Sequence, residues 1–222
     1  MTEFILASKS PRRKSLLRNL IESFLVVNSD VDEQVSPGET PGEFVIRLAR
    51  EKALKGGEDL IRNSFQNAFV IGADTIVVDG KEILGKPQDE KDAVRILAQL
   101  RGRTHQVLSG IALYNILSGE VQARLVCTEV AMREYTEDEV RDYIASGDPM
   151  DKAGAYGIQN RDFNPAPELA GCYANVMGLP LCHLAVLMKD MGIETDSRIA
   201  ERCQDSIDYQ CPVYADILEL SE

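Results

Sequence analysis

The spacing of hydrophobic positions changes several times along the chain. Residues 3–7, "EFILA", and 24–28, "FLVVN", are short apolar runs that read as strands. Between them, Ser10 as N-cap and Pro11 at the first helical position open a helix over 11–20. "TPGEFVIRLAREKALKGG" has helical periodicity, and Thr40 and Glu43 stand at capping-box spacing. Gly56-Gly57 is expected to stop that helix. "AFVIGADTIVVDGKEILGKP" reads as strand, Asp-Gly turn and short strand. Residues 89–101 place Ala93, Ile96, Leu97 and Leu100 on one helical face. Residues 104–116 and 120–132 read as a long hairpin turning at "SGE". Residues 136–146 read as a helix with a second capping box, Thr136 and Glu139. Beyond Gly- and Pro-rich loops, "CYANVMG" is strand-like and 180–191 is helical.

Strands and helices alternate, but the middle is rich in hairpins. That mixture predicts an α/β architecture with a mixed β-sheet flanked by helices. No internal repeat, low-complexity segment or clear linker divides the chain. Residues 1–192 read as one domain, and the acidic stretch 193–222, with weak periodicity, as a peripheral extension.

Composition narrows the class. With 24 Lys+Arg against 36 Asp+Glu, the formal net charge of −12 argues against stable nucleic-acid binding. An anionic ligand then needs a local basic pocket. No segment reaches the roughly 18 apolar residues of a membrane span. "FILA" is too short for a signal-peptide core, and Glu3 precedes it, so a cytoplasmic location is expected. The five cysteines, 127, 172, 182, 203 and 211, are odd in number and widely spaced, which suits reduced thiols rather than a disulfide framework. A zinc site through Cys203 and Cys211 lacks the tight ligand pairs such sites use.

Some residues interrupt these patterns. In "ASKSPRRK" a strand feeds a loop and then a helix start, where backbone N–H groups favour an anion. Arg12 and Arg13 there suit phosphate, although a solvated basic helix start explains the same residues. Asp74 interrupts the near-continuous apolar run "FVIGADTIVV". A buried carboxylate needs a cation, a metal or hydrogen bonds, so Asp74 is either a functional group or half of a structural ion pair. Asp32 and Glu33 follow the second strand, either as a solvated acidic loop or as partners of Asp74 around a hard cation. Lys52 shares the apolar stripe of Val45, Leu48 and Ala49, so it snorkels outward or extends inward toward an anion. Lys86 in "LGKP" is placed to do the same. "DKAGAYGIQ" is punctuated by glycines and ends in Gln159, whose amide suits a base edge. His105 and His183 lack metal-ligand spacing and read as structural.

Taken together, "LASKSPRR", "DE" at 32–33, "RLAREKA", "GADTIVV", "GKP", "LRGRTHQV", "DKAGAYGIQ" and "VMGLPL" resemble the Maf-like nucleotide pyrophosphatases, a family once described as septum-formation inhibitors. The segments occur in family order over about residues 3–190. The resemblance implies a mixed-sheet α/β fold with a central cleft, similar to the inosine triphosphate pyrophosphatases. It implies hydrolysis of a nucleoside triphosphate substrate to the monophosphate and pyrophosphate with a divalent cation, Mg²⁺ or Mn²⁺. Asp74 matches the family's catalytic proton acceptor. Arg12, Thr75 and Gln159 match the marks of the dTTP/UTP subgroup. Phosphate and metal contacts would fall on Ser8, Arg13, Glu33, Lys52 and Lys86, with Glu33 and Asp74 as the metal pair. Whether Asp74 is base, ligand or both stays open, as does a homodimer. The chain departs from the pattern in "GCYANVMGLP", where the family often has Ser before Tyr and Val for Met, and in its cysteine-containing tail. Two rival readings are a 7-methyl-GTP-type pyrophosphatase, against which the intact "DKAGAYGIQ" speaks, and a division-regulating interaction protein without turnover, which has no need of Asp74, Lys52 and Lys86.

Overall fold

The computed structural model describes residues 3–62 and 67–219, with side chains for all of these except 59–62. Strand β1 (Glu3–Ala7) lies between β2 (Leu25–Val27) and the first half of β3 (Ala68–Asp79), parallel to both. Helix α1 (Pro11–Leu17) makes the crossover that a parallel β1–β2 pair requires. Strand β5 (Thr104–Asn115) runs antiparallel along β3, and β6 (Val121–Ala131) follows it as a hairpin. The short β4 (Glu82–Leu84) folds back on the end of β3 through the Asp79-Gly80 turn, where Gly80 takes a φ of +62°. The resulting six-stranded mixed sheet has the order β2-β1-β3-β5-β6, with β4 paired onto β3.

Alternation along β3 sorts its side chains between two layers. Val70, Ile76 and Val78 face helix α2 (Pro41–Arg62), where they pack with Ala49, Ala53, Val45 and Leu48. Ile71, Ala73 and Val77 face the larger core, with Leu16 and Leu17 of α1 and Ile96, Leu97 and Leu100 of α3 (Glu90–Leu100). The same alternation sends the adjacent Asp74 and Thr75 to opposite faces of the sheet.

Helix α2 does not stop at Gly56-Gly57; it continues to Arg62. The glycines serve packing. A Cβ on Gly56 would lie 3.0 Å from Ala7 Cβ and Val27 Cγ2, and one on Gly57 would enter the Tyr114 ring. Two sheet glycines match them. A Cβ on Gly72 would press on the Ala49 carbonyl oxygen and lie 2.7 Å from Ala53 N, and one on Gly110 would meet the Val45 carbonyl. Helix and sheet therefore approach backbone to backbone, a closeness that any side chain would block.

"CYANVMG" is not a strand. It forms α5 (Tyr173–Met177), closed by Gly178 at φ +111°. A short apolar run carries no period that separates strand from helix, and the left-handed glycine after it is a helix terminator. The capping box at Thr136 and Glu139 opens α4 (Glu137–Ala145). Helix α6 (Leu181–Asp190) is followed by α7 (Ile199–Ile207) and α8 (Tyr214–Leu218). Ile199 and Cys203 of α7 are buried in the same core as α6; residues 220–222 lie outside the described residues. All five cysteines are free, and burial pushes the Cys172 and Cys203 thiols up to about 12. No helix among the described residues is long and apolar enough to cross a membrane.

Candidate active site

The loop from β1 into α1 forms one wall of the site. Ser10 caps α1, accepting from Arg13 N at 3.4 Å. The Arg13 guanidinium then reaches back across the loop. Its Nε donates to the Gly178 carbonyl at 2.8 Å, its Nη2 to Thr75 Oγ1 at 3.1 Å and its Nη1 to Ser8 Oγ at 3.4 Å. Thr75 Oγ1 lies 2.8 Å from Ser109 Oγ, and Ser109 in turn donates to the Asn175 carbonyl at 3.3 Å. Asn175, fully buried, donates to the Val107 carbonyl at 3.1 Å and to Thr128 Oγ1 at 3.0 Å. A continuous polar chain thus fixes the orientation of Arg13. Burial draws Arg13 below the usual arginine value, Asp74 raises it again, Arg12 lowers it and Glu33 raises it. Those charges therefore lie within electrostatic reach of one another.

On the other face of β3, Lys52 is 9% exposed and so is Asp74. Lys52 Nζ donates to Asp74 Oδ1 at 2.6 Å and to Glu33 Oε1 at 2.7 Å. The lysine therefore extends inward, and its partners in this structure are carboxylates. Two carboxylates and one ammonium leave this trio net negative, with Arg13 as the nearby counter-charge. Asp74 is buried and compensated, whereas Glu33 is exposed toward solvent.

A third group lies beside an open cavity of about 440 Å³, lined by Arg12, Asp148, Lys152, Gly157, Gln159, Asn160, Arg161 and Asp162. Gln159 is exposed to it. Arg12 Nη1 reaches Asp151 Oδ2 at 3.4 Å rather than the glutamine amide. The loop is held from below. Asp148 accepts from Tyr143 Oη at 2.7 Å, Lys152 Nζ at 3.0 Å and Asn160 Nδ2 at 3.3 Å, while Tyr143 Oη accepts from Gly157 N at 2.8 Å. Lys86 is exposed on the turn after β4, and that turn is tied to the same loop by the Gly154 N–H donating to the Gly85 carbonyl at 3.0 Å. A shallower hollow of about 530 Å³ lies at the start of α2. There Arg47 is engaged by Glu39 and Glu51, and Arg50 lines the same hollow.

The structure thus brings Ser8, Arg13 and Thr75 together, and Lys52, Asp74 and Glu33 together. It sets Arg12 and Gln159 on a common cavity and Lys86 on a turn bonded to the cavity's loop. Sequence reading missed Ser109, Asn175, Tyr143 and Asp148. Ser109 left a signal, a hydroxyl inside the apolar run "VLSGIAL" like Asp74 in its own. His105 is a buried structural group, with Nε2 2.8 Å from Tyr156 Oη. Among the described residues, no group of three or more His, Cys, Asp or Glu is arranged as a metal cage. Two hard carboxylates converging on one cationic point nonetheless fit a Mg²⁺-type ion, which takes one or two protein carboxylates and completes its shell with water and phosphate oxygens.

Fold and site together define an α/β protein that groups a clamped arginine, a lysine held by two carboxylates, and a cavity onto which an amide opens. A family profile described as "Maf-like protein" matches residues 3–191, and the chain belongs to that family. A protein of Dictyoglomus thermophilum named "dTTP/UTP pyrophosphatase" is 46% identical over 192 residues, covering 86% of this chain and 96% of that one. One of Dehalococcoides mccartyi with the same name is 44% identical over 192 residues, covering 86% and 84%. One of Geotalea uraniireducens, also so named, is 46% identical over 191 residues, covering 86% and 96%. A solved nucleoside-triphosphatase (dITP/XTP pyrophosphatase) of Mycobacterium abscessus overlaps 60% of this chain and 73% of its own, at 14% identity and a TM-score of 0.32. That overlap is too slight to argue from, and the architecture rests on the strand register.

Proposed function

We propose that this protein hydrolyses dTTP and UTP to dTMP and UMP, releasing pyrophosphate. The observation that carries the reading is the buried Asp74 carboxylate held 2.6 Å from Lys52, within the electrostatic reach of the clamped Arg13. The names of the relatives support the choice of nucleotides. Water attacks the α-phosphorus and breaks its bond to the α,β-bridging oxygen, so the electron pair leaves with pyrophosphate. Asp74 accepts the water's proton. Arg13, fixed by Ser8, Thr75 and Gly178, and Lys86 face the charge that develops on the phosphates. Lys52 orients Asp74 and shares its charge with the incoming substrate. Ser8 completes the loop against which the phosphates lie, and Arg12 and Gln159 present polar groups to the base.

The net-negative trio repels a triphosphate until a cation joins it. Glu33 and Asp74 would hold Mg²⁺ or Mn²⁺, which would supply that neutralisation and Lewis-acid polarisation. A screen of nucleoside triphosphates with each ion, reading pyrophosphate, tests the proposal. UTP and dTTP should lead; a lead by 7-methyl-GTP would overturn the choice of base.

A further inference from the structure

The family match ends at residue 191, and the Dictyoglomus relative aligns over 192 residues, 86% of this chain and 96% of its own length. Residues 199–211 nevertheless touch the loop that carries Gln159. Helix α7 is anchored by Ile199 and Cys203, which are buried in the core. It ends at Asp208 in a left-handed conformation, φ +51°, which turns Tyr209 back toward the domain. The Tyr209 ring lies against the Tyr173 ring, with centroids 5.0 Å apart and planes at 34°. Tyr209 Oη donates to the Leu169 carbonyl and lies 3.3 Å from the Gly171 carbonyl, pinning the stretch that leads into Tyr173. Tyr173 Oη donates to the Ile158 carbonyl at 2.9 Å. Ile158 is the residue before Gln159. Beside it, Asp208 pairs with Arg161, which lines the cavity, at 2.7 Å. That exposed pair adds little by itself. The aromatic relay is the half-buried part.

We propose that this C-terminal segment is a positioning element for base selection: Tyr209, through Tyr173, holds the Ile158 carbonyl and so fixes how Gln159 enters the cavity. Tyr143 and Asp148 hold the loop at Gly157 and Asn160, leaving Ile158 and Gln159 between those two anchors. The carbonyl of Ile158 is the handle closest to the glutamine, and among the described residues the group that bonds it is the Tyr173 hydroxyl. The proposal rests on the reading of Gln159 as the group that meets the base.

The test compares the full-length protein with Tyr209→Ala, Tyr173→Phe and, as a control on the exposed side of α7, Asp205→Ala. Two readouts are taken: amide hydrogen exchange over 157–163, and kcat/KM for UTP relative to CTP. Losing an aromatic pair or one hydroxyl bond should speed exchange there about three- to tenfold. The UTP/CTP ratio should fall by about the same factor through KM, with kcat changed less than about twofold. Asp205→Ala should match wild type in both. Tyr173→Phe carries the test by itself if Tyr209→Ala fails to fold, because it removes only the hydroxyl. An unchanged UTP/CTP ratio in these variants overturns the proposal, whether or not exchange rises. If the wild-type protein turned over neither nucleotide, the proposed function would fall, and unchanged exchange over 157–163 would then overturn the relay independently.

Discussion

Lys52 Nζ lies 2.6 Å from Asp74 Oδ1, between a helix and a strand that meet only because Gly72 and Gly110 carry no side chains. The pair joins the strand carboxylate we propose as the proton acceptor to the helix cation that compensates it. Asp74→Asn keeps the shape and leaves Lys52 its bond to Glu33. Turnover should fall about 10²–10⁴-fold while the melting temperature moves by only a few degrees. A sharp loss of stability with turnover per folded molecule intact would make the carboxylate structural.

The glycine contact makes a prediction of its own. A Cβ at Gly72 would overlap the Ala49 carbonyl oxygen, and backbone cannot give way as a flexible side chain can. Gly72→Ala should cost about 1–3 kcal/mol or more in denaturant unfolding and should also lower kcat, because α2 carries Lys52 outward with it. Wild-type kcat in a destabilised variant would separate the packing from the site.

Thr75 and Gln159 are distinguishable by substrate. Thr75 Oγ1 meets Arg13 and Ser109 on the face of the sheet opposite Asp74, which under the proposed function ties it to the arginine that faces the phosphates. Thr75→Val leaves Arg13 Nη2 short of an acceptor, a loss of about 1–3 kcal/mol. It should lower kcat/KM for UTP and CTP alike, whereas Gln159→Ala should lower it about tenfold or more for UTP and narrow the UTP/CTP ratio. A changed ratio in Thr75→Val would return Thr75 to the base.

Stability should fall in mild acid. Burial lowers the His105 pKa to about 4 from an ordinary 6.5, with a small opposing pull from Asp79. The unfolded chain therefore binds the extra proton first as pH drops, so the contribution of neutral His105 is present above 6.5 and is lost toward 4. From pH 7 to 5 this group accounts for about 2 kcal/mol. Urea unfolding at the two pH values should show that slope, and His105→Gln should remove this share while leaving that of His183, which burial likewise lowers to about 4; an equal slope in the variant would assign the effect elsewhere.

Much of this was legible in the chain because it rests on local signals. Capping boxes at Thr40 and Thr136, the Asp79-Gly80 turn and period-two apolar runs specify elements without reference to the rest of the fold. Asp74 and Lys52 stood out because each puts a charge where the pattern calls for a hydrophobe. What was hidden is non-local. Gly56-Gly57 reads as a helix stop until Ala7, Val27 and Tyr114 are seen across the interface. "YANVM" becomes a helix through its buried contacts and the left-handed Gly178. Thr75 follows Asp74 directly in sequence, yet strand alternation separates them onto different faces, which motif spacing alone does not reveal. Tyr209 lies 50 residues beyond Gln159 and is joined to its loop only through Tyr173.

The products of UTP hydrolysis with Mg²⁺ test the central claim most directly. UMP and pyrophosphate should appear in equal amounts, stopped by EDTA and nearly absent with Asp74→Asn. UDP with orthophosphate, or equal turnover by wild type and Asp74→Asn, would contradict it.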